Sequence, residues 1–181
     1  MDNELLKLKR NAVMLGLCGQ YKSLWDDCKS KKDLIDTAID ANGIEFMADS
    51  IAFGWGLSKE FILSEFGEYI NGKYQRKRDG YSSELYVETE SNTISVRSTL
   101  NLFAYCDDVT VFVPNGCFCR IYLAKCHNVY IKNDGKFELV VYGECSNITI
   151  DSQKPHLFIR RDVLKSEWVN YTSERKESIT Q

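Results

Sequence analysis

The chain is poor in the groups most chemistry needs. Of its 181 residues only two are histidine, His127 and His156. A zinc site wants two close cysteine pairs, or one pair with histidines at chelating spacing. Here the one close pair is Cys117-Phe118-Cys119, and Cys126-His127, being adjacent, would face opposite sides of a strand. Positive charge is not in excess: 23 Lys+Arg stand against 26 Asp+Glu, a net charge of −3. A general nucleic-acid binder displaces phosphate counterions with clustered positive charge, so that class is not expected. No run approaches the ~20 apolar residues of a membrane span. The segment Met1-Asp2-Asn3-Glu4-Leu5-Leu6-Lys7 lacks the basic start and apolar stretch of a secretory signal. A P-loop, a Gly-x-Gly-x-x-Gly and a Gly-x-Ser-x-Gly are all missing. The expectation is therefore no catalytic residue, no metal, no cofactor and no membrane. With seven cysteines and no signal, reduced thiols in a cytoplasmic protein are the simplest reading.

What is present is enough to fold. The apolar fraction is 44 % and aromatics reach 12 %, too rich for a disordered chain. Before residue 72 the apolar period is helical. Val13, Met14, Leu17, Cys18, Tyr21, Leu24, Trp25 and Cys28 share one face. Ser30 and Asp33 form a capping box with Asp in place of Glu, opening a second helix with Leu34, Ile35, Ala38 and Ile39. Asn42-Gly43 ends it. A third helix carries Ile44, Met47, Ala48 and Ile51. Ser58 caps a fourth, with Phe61, Ile62, Phe66, Tyr69 and Ile70, closed by Asn71-Gly72. Residues 1–72 thus read as a small helical domain with short connections.

The third and fourth helices, near 44–70, have helix-turn-helix lengths. The would-be reading helix, Ser58 to Glu68, offers one Lys against three Glu, the reverse of what phosphates and guanines demand. Plain packing is the reading; a DNA-binding regulator, aided by the basic patch Lys73, Arg76, Lys77 and Arg78, is the alternative. Trp55, between two glycines, is a core anchor or a knob facing a partner.

Residues 73–83 read as a basic linker. Beyond it the period becomes two. Three segments superpose: Cys106-Asp107-Asp108-Val109-Thr110-Val111, Cys126-His127-Asn128-Val129-Tyr130-Ile131 and Cys145-Ser146-Asn147-Ile148-Thr149-Ile150. Ala104, Ala124 and Gly143 lie two places before each cysteine; Asp108, Asn128 and Asn147 lie two places after. Each unit closes on turn residues: Pro114-Asn115-Gly116, Asn133-Asp134-Gly135 and Ser152-Gln153-Lys154. Units that repeat at a near-fixed period stack to bury faces they cannot bury alone. In a parallel β-solenoid, residues one period apart would lie about 4.8 Å apart, with the cysteines in a column and Asp/Asn in a corner ladder. An antiparallel meander would use the Asn-Gly and Asp-Gly turns as hairpins, but leaves the recurring cysteine and Asn unexplained. The expected fold class is α+β: the helical domain, then a short β-solenoid over 84–160 (alternative: a meander), then a cap and tail over 161–181 with a short helix around Val163 to Val169. Weaker coils are expected at Glu84 to Ser98 and His156 to Arg160.

The segment Val141-Tyr142-Gly143-Glu144-Cys145-Ser146-Asn147-Ile148-Thr149-Ile150 resembles β-solenoid repeat proteins built from V-x-V-Y-G-N-S-x-V-T-V units, common in bacterial and phage reading frames. The resemblance covers about residues 99–152 and rests on a short motif. The first two units depart at the glycine and have longer turns. Gly54-Trp55-Gly56-Leu57-Ser58 is similar to segments of prophage proteins. The resemblance implies a chain encoded by a phage or other mobile element.

The function this organisation suits is non-enzymatic: protein–protein interaction or assembly, acting on a host or phage complex. The candidate contacts are Trp55 and two outward columns of the repeat, Thr110, Tyr130 and Thr149 beside Phe112, Lys132 and Asp151. A protein partner is expected, and a homo-oligomer is compatible with open coil ends. A glycan-active enzyme is a further alternative, since β-solenoids host sugar chemistry and Asp107, Asp108, Asp134 and Asp151 could supply a carboxylate pair.

Overall fold

The computed structural model describes residues 19–41, 43–54, 56–72, 76–78, 81–152, 154, 156–161, 166–171 and 177–179; for 19–21, 76–78 and everything from 156 onward it describes the backbone alone. Among the described residues four helices come first: α1 Gly19–Asp27, α2 Lys31–Ala38, α3 Gly43–Ala52 and α4 Lys59–Phe66, the last running into a 3-10 turn, Gly67–Tyr69. Their boundaries follow from capping chemistry. The Asp33 amide donates to Ser30 Oγ at 3.1 Å while the Asp33 carboxylate accepts from the Ser30 amide at 2.9 Å. Ser58 Oγ accepts from the Phe61 amide at 3.2 Å. Gly43 starts α3 because nothing larger fits: a Cβ there would collide with the Thr37 and Ala38 carbonyls. The part of the expected first helix before Gly19 lies outside the described residues.

Twelve strands follow among the described residues: β1 Arg76–Arg78, β2 Tyr81–Val87, β3 Thr93–Ser95, β4 Leu100–Ala104, β5 Thr110–Val113, β6 Phe118–Ala124, β7 Tyr130–Asn133, β8 Lys136–Tyr142, β9 Ile148–Ser152, β10 His156–Arg161, β11 Ser166–Tyr171 and β12 Glu177–Ile179. They sort into a seven-stranded sheet A, β1-β2-β4-β6-β8-β10-β11, and a five-stranded sheet B, β12-β9-β7-β5-β3. From β2 to β10 successive strands alternate between the sheets, and β2-β4-β6-β8-β10 and β3-β5-β7-β9 pair in parallel. This is a parallel β-solenoid of about four turns. The Asn-Gly and Asp-Gly turns carry the chain from sheet B to sheet A; they reverse direction without pairing the strands they join, which is why turn chemistry also suited a meander.

The corners explain the recurring Asp/Asn. Asp108, Asn128 and Asn147 have φ of 56°, 55° and 57°, the left-handed region that these short side chains tolerate. They form the expected ladder: Asn128 Nδ2 donates to Asp108 Oδ1 at 3.0 Å, and Asn147 Nδ2 donates to Asn128 Oδ1 at 2.9 Å. The cysteines stack as well. Cys126 Sγ reaches the Phe103 carbonyl of the coil before it at 3.3 Å, Cys145 Sγ reaches the Leu123 carbonyl at 3.2 Å, and the Cys126 amide donates to Cys145 Sγ at 3.4 Å.

Three sequence expectations need correction. Gly143 is not level with Ala104 and Ala124. Leu123 stands opposite Val141, so Tyr142 takes that position, and a tight turn from the Cys145 amide to the Tyr142 carbonyl (3.0 Å) absorbs the extra residue. The helix expected around Val163 to Val169 is corrected over its described part: Ser166–Tyr171 is a strand antiparallel to β10, closing the sheet edge with main-chain bonds. Within 73–83, read as a linker, Arg76–Arg78 pairs antiparallel with Tyr81–Ser83 as the opposite edge of sheet A.

Over β2, β4, β6 and β8 both faces of sheet A are buried. Its inner face (Tyr86, Phe103, Ile121, Leu123, Leu139, Val141) packs on Val111, Ile131 and Ile150 of sheet B. Its outer face (Leu85, Val87, Leu102, Ala104, Tyr122, Ala124, Val140, Tyr142) shares one apolar cluster with Leu34, Ile44, Met47, Ile51 and Ile62 of the helices. A fully buried side chain of this kind contributes roughly 1.5–3 kcal/mol. Polar clamps fix the helices on the sheet. Tyr142 donates to Asp49 Oδ1 at 2.6 Å, Tyr105 donates to the Leu57 carbonyl at 2.8 Å, and Lys59 pairs with Glu88 at 2.8 Å. Asn71 extends the pairing of β2: its side chain accepts from the Val87 amide at 2.9 Å and donates to the Val87 carbonyl at 3.1 Å.

Candidate functional site

The helices pack on β2, β4 and β6 of sheet A. The outward face of sheet B carries the two expected columns. Thr93, Thr110, Tyr130 and Thr149 stand level in one, and Ser95, Phe112, Lys132 and Asp151 in the other. Alternation puts Val111, Val113, Ile131 and Ile150 inward, fully buried, and leaves this face partly or fully accessible. The columns are braced across coils. Tyr130 Oη donates to Asp151 Oδ2 at 2.6 Å, and that carboxylate holds the phenol above its ordinary 10.0. Lys132 Nζ sits 5.9 Å from the Phe112 ring centroid, a cation–π contact. The result is a flat, ordered surface with two aromatic rings and one charge of each sign. Trp55 and Lys73 lie outside the described residues. Of Arg76, Lys77 and Arg78 only the strand course is described.

One corner gathers residues that the sequence did not single out together. Asp107, His127 and Ser146 lie in register. Ser146 Oγ is 2.7 Å from His127 Nδ1, and the Asp107 carboxylate accepts from the His127 main-chain amide at 3.1 Å. The spacing invites comparison with a Ser–His–Asp triad, but the roles differ. The carboxylate holds the main chain and not the imidazole, which a triad requires it to orient. The Ser146 and Asn128 amides are spent on the Cys126 and Ser146 carbonyls, where an oxyanion hole would need them free. The row is a hydrogen-bonded solenoid corner.

The acids weighed for sugar chemistry are spread around the coil. Asp107 and Asp108 occupy that corner, Asp134 lies in the turn at the other end of β7, and Asp151 is on the open face with Tyr130. The thiols of the repeat region are interior. Cys106, Cys119, Cys126 and Cys145 are buried and Cys117 is half-buried. Burial holds Cys126 well above its ordinary value and pushes Cys119 up to about 12, which leaves both protonated and weakly nucleophilic. Among the described residues no helix is long and apolar enough to cross a membrane.

A polar group inside the first coil was not foreseen from the residue pattern. Glu84, opposite Asn101 in register, accepts from Tyr86 Oη at 2.8 Å and from Ser98 Oγ at 3.0 Å. Leu85 and Val87 face the helices, which turns Glu84 and Tyr86 inward. No family model, no curated protein and no solved structure matches this chain.

Proposed function

We propose that the protein is a non-enzymatic interaction module that binds a protein partner through the outward face of sheet B. The supporting observation is the asymmetry between the sheets: β2, β4, β6 and β8 of sheet A are buried on both faces, whereas sheet B presents Phe112, Tyr130, Lys132 and their neighbours outward. A rigid pleat with side chains in register costs little ordering entropy when a partner docks. Aromatic rings with a polar surround are the usual anchors of such contacts. The arrangement of the acids and of the Asp107–His127–Ser146 row supports binding over catalysis.

The test is cross-linking mass spectrometry on the tagged protein in its host, comparing wild type with Phe112→Ala/Lys132→Glu and with a corner variant, His127→Ala. The expected result is a partner cross-linked to β5 and β7 in wild type and in H127A, and lost in the sheet-face variant with circular dichroism unchanged. The same partner retained by all three proteins would reject the reading.

A further inference from the structure

The first coil holds an unsatisfied acceptor in its interior. Asn101 is fully buried, and its Nδ2 donates to the Ser98 carbonyl at 2.8 Å. That bond fixes the amide orientation and turns Oδ1 the other way, where it meets no hydrogen-bond donor among the described residues. A buried acceptor without a donor is costly, and native proteins supply water or an ion to such atoms. The surroundings say which kind of ligand fits. Glu84 faces Asn101 across the β2–β4 pair, and Ser98 touches both, donating from Oγ to Glu84 Oε2 and accepting at its carbonyl from Asn101. Tyr86 Oη donates to the same Glu84 oxygen at 2.8 Å. These two donors fall on Oε2, so Oε1 and Asn101 Oδ1 are the acceptors left to a ligand. The group is made of oxygen ligands, the choice of hard cations. It carries a single carboxylate, and Glu84 is only part-buried, which leaves a route from solvent.

We propose that Glu84, Ser98 and Asn101 form a site for one alkali cation at the first coil of the solenoid. The single carboxylate balances a single positive charge; a divalent ion would leave an uncompensated charge in the interior. Bound there, the cation gives Asn101 Oδ1 its partner and ties β2 to β4 where the stack begins.

The test is thermal unfolding of the full chain in sodium, potassium and choline chloride at equal ionic strength. A ligand that binds only the native state raises the midpoint by mass action. The expected result is a rise of about 3 °C or more in sodium or potassium over choline, abolished in Glu84→Gln and in Asn101→Leu. Asn101→Asp, with a second carboxylate, should shift the preference to calcium. Should the variants fail to fold, ²³Na relaxation on the wild-type protein, with potassium as competitor, reads the same site. Equal midpoints in the three chlorides, with no excess sodium relaxation, would mean that Asn101 binds water only and would overturn the proposal.

Discussion

Asn128 Nδ2 donates to the Asp108 carboxylate at 3.0 Å, across 20 residues of chain and one storey of the solenoid. Both residues are left-handed, at φ 55° and 56°. One pair therefore performs two tasks: it turns the corner and locks the register of neighbouring coils. A β-branched residue can do neither. Asn128→Val is expected to lose about 2–3 kcal/mol, from left-handed strain and the missing ladder bonds. Asn128→Gly, which keeps the turn, should lose about 1 kcal/mol. Urea unfolding of the two variants checks the order; equal losses would remove the conformational argument.

The helical layer is held by a second long-range pair, the Tyr142 hydroxyl on Asp49 at 2.6 Å, with the Phe53 ring edge-on to Tyr142 at 5.8 Å. Tyr142→Phe keeps the ring contact and deletes the hydroxyl. The expected cost is about 1.5–3 kcal/mol, the range for a hydrogen bond to a charged group. Tyr142→Ala should cost more, about 3–5 kcal/mol, as a cavity opens between helices and sheet. Denaturant midpoints of the two variants separate the contributions.

Gly135 turns the chain directly beneath the preceding turn. A Cβ there would lie 2.5 Å from the Pro114 carbonyl oxygen and 2.7 Å from that of Cys117. Both obstacles are backbone, which cannot swing aside. Gly135→Ala is expected to destabilise by about 1–3 kcal/mol, whereas Gly116→Asn, in open space at φ 81°, should be nearly neutral. Thermal melts of the two substitutions test whether the turns stack as described.

The capping box of α2 gives a pH signature. Hydrogen bonds from the Lys29 and Ser30 amides and from Ser30 Oγ lower the Asp33 pKa from its ordinary 3.8. A carboxylate lowered on folding adds stability that is present above its unfolded value and lost as pH falls through the folded one. Wild type should therefore lose this contribution on acidification below about pH 4, and Asp33→Ala should lack it at every pH. Unfolding free energies of the two proteins from pH 6 to pH 2.5 should converge on the acid side; a constant gap would contradict the assignment. The cap is solvent-exposed, so its worth is about 1 kcal/mol.

The repeat was legible because corner chemistry is local. At 108, 128 and 147 the left-handed φ favours Asp and Asn, whose side chains also bond from coil to coil, although Glu88, Tyr105 and Lys125 adopt the same backbone region without that ladder. The cysteine two places earlier marks a tight interior. The columns of sheet B were legible too: one face is buried and the other is not, so Val111 and Ile131 alternate cleanly with Thr110 and Tyr130. Sheet A defeats the same reasoning. With apolar residues on both faces, Leu85 and Val87 could not reveal which side met the helices and which the solenoid interior. Glu84 and Asn101 were missed for that reason. The strand at 166–171 was missed because main-chain pairing to β10, not a side-chain pattern, places it. The Asp107–His127–Ser146 row is visible only once the coils are stacked, although each member follows its cysteine by one residue.

The account rests on one sheet being covered and the other bare, and hydroxyl-radical footprinting of the native protein reads that directly. Tyr130 and Phe112, on the outward face of sheet B, should be oxidised readily, while Tyr122 and Tyr142, beneath the helices, should react only after unfolding. Protection of Tyr130 and Phe112 together with oxidation of Tyr122 and Tyr142 would mean that the helices lie elsewhere, and would contradict both the layering and the binding surface inferred from it.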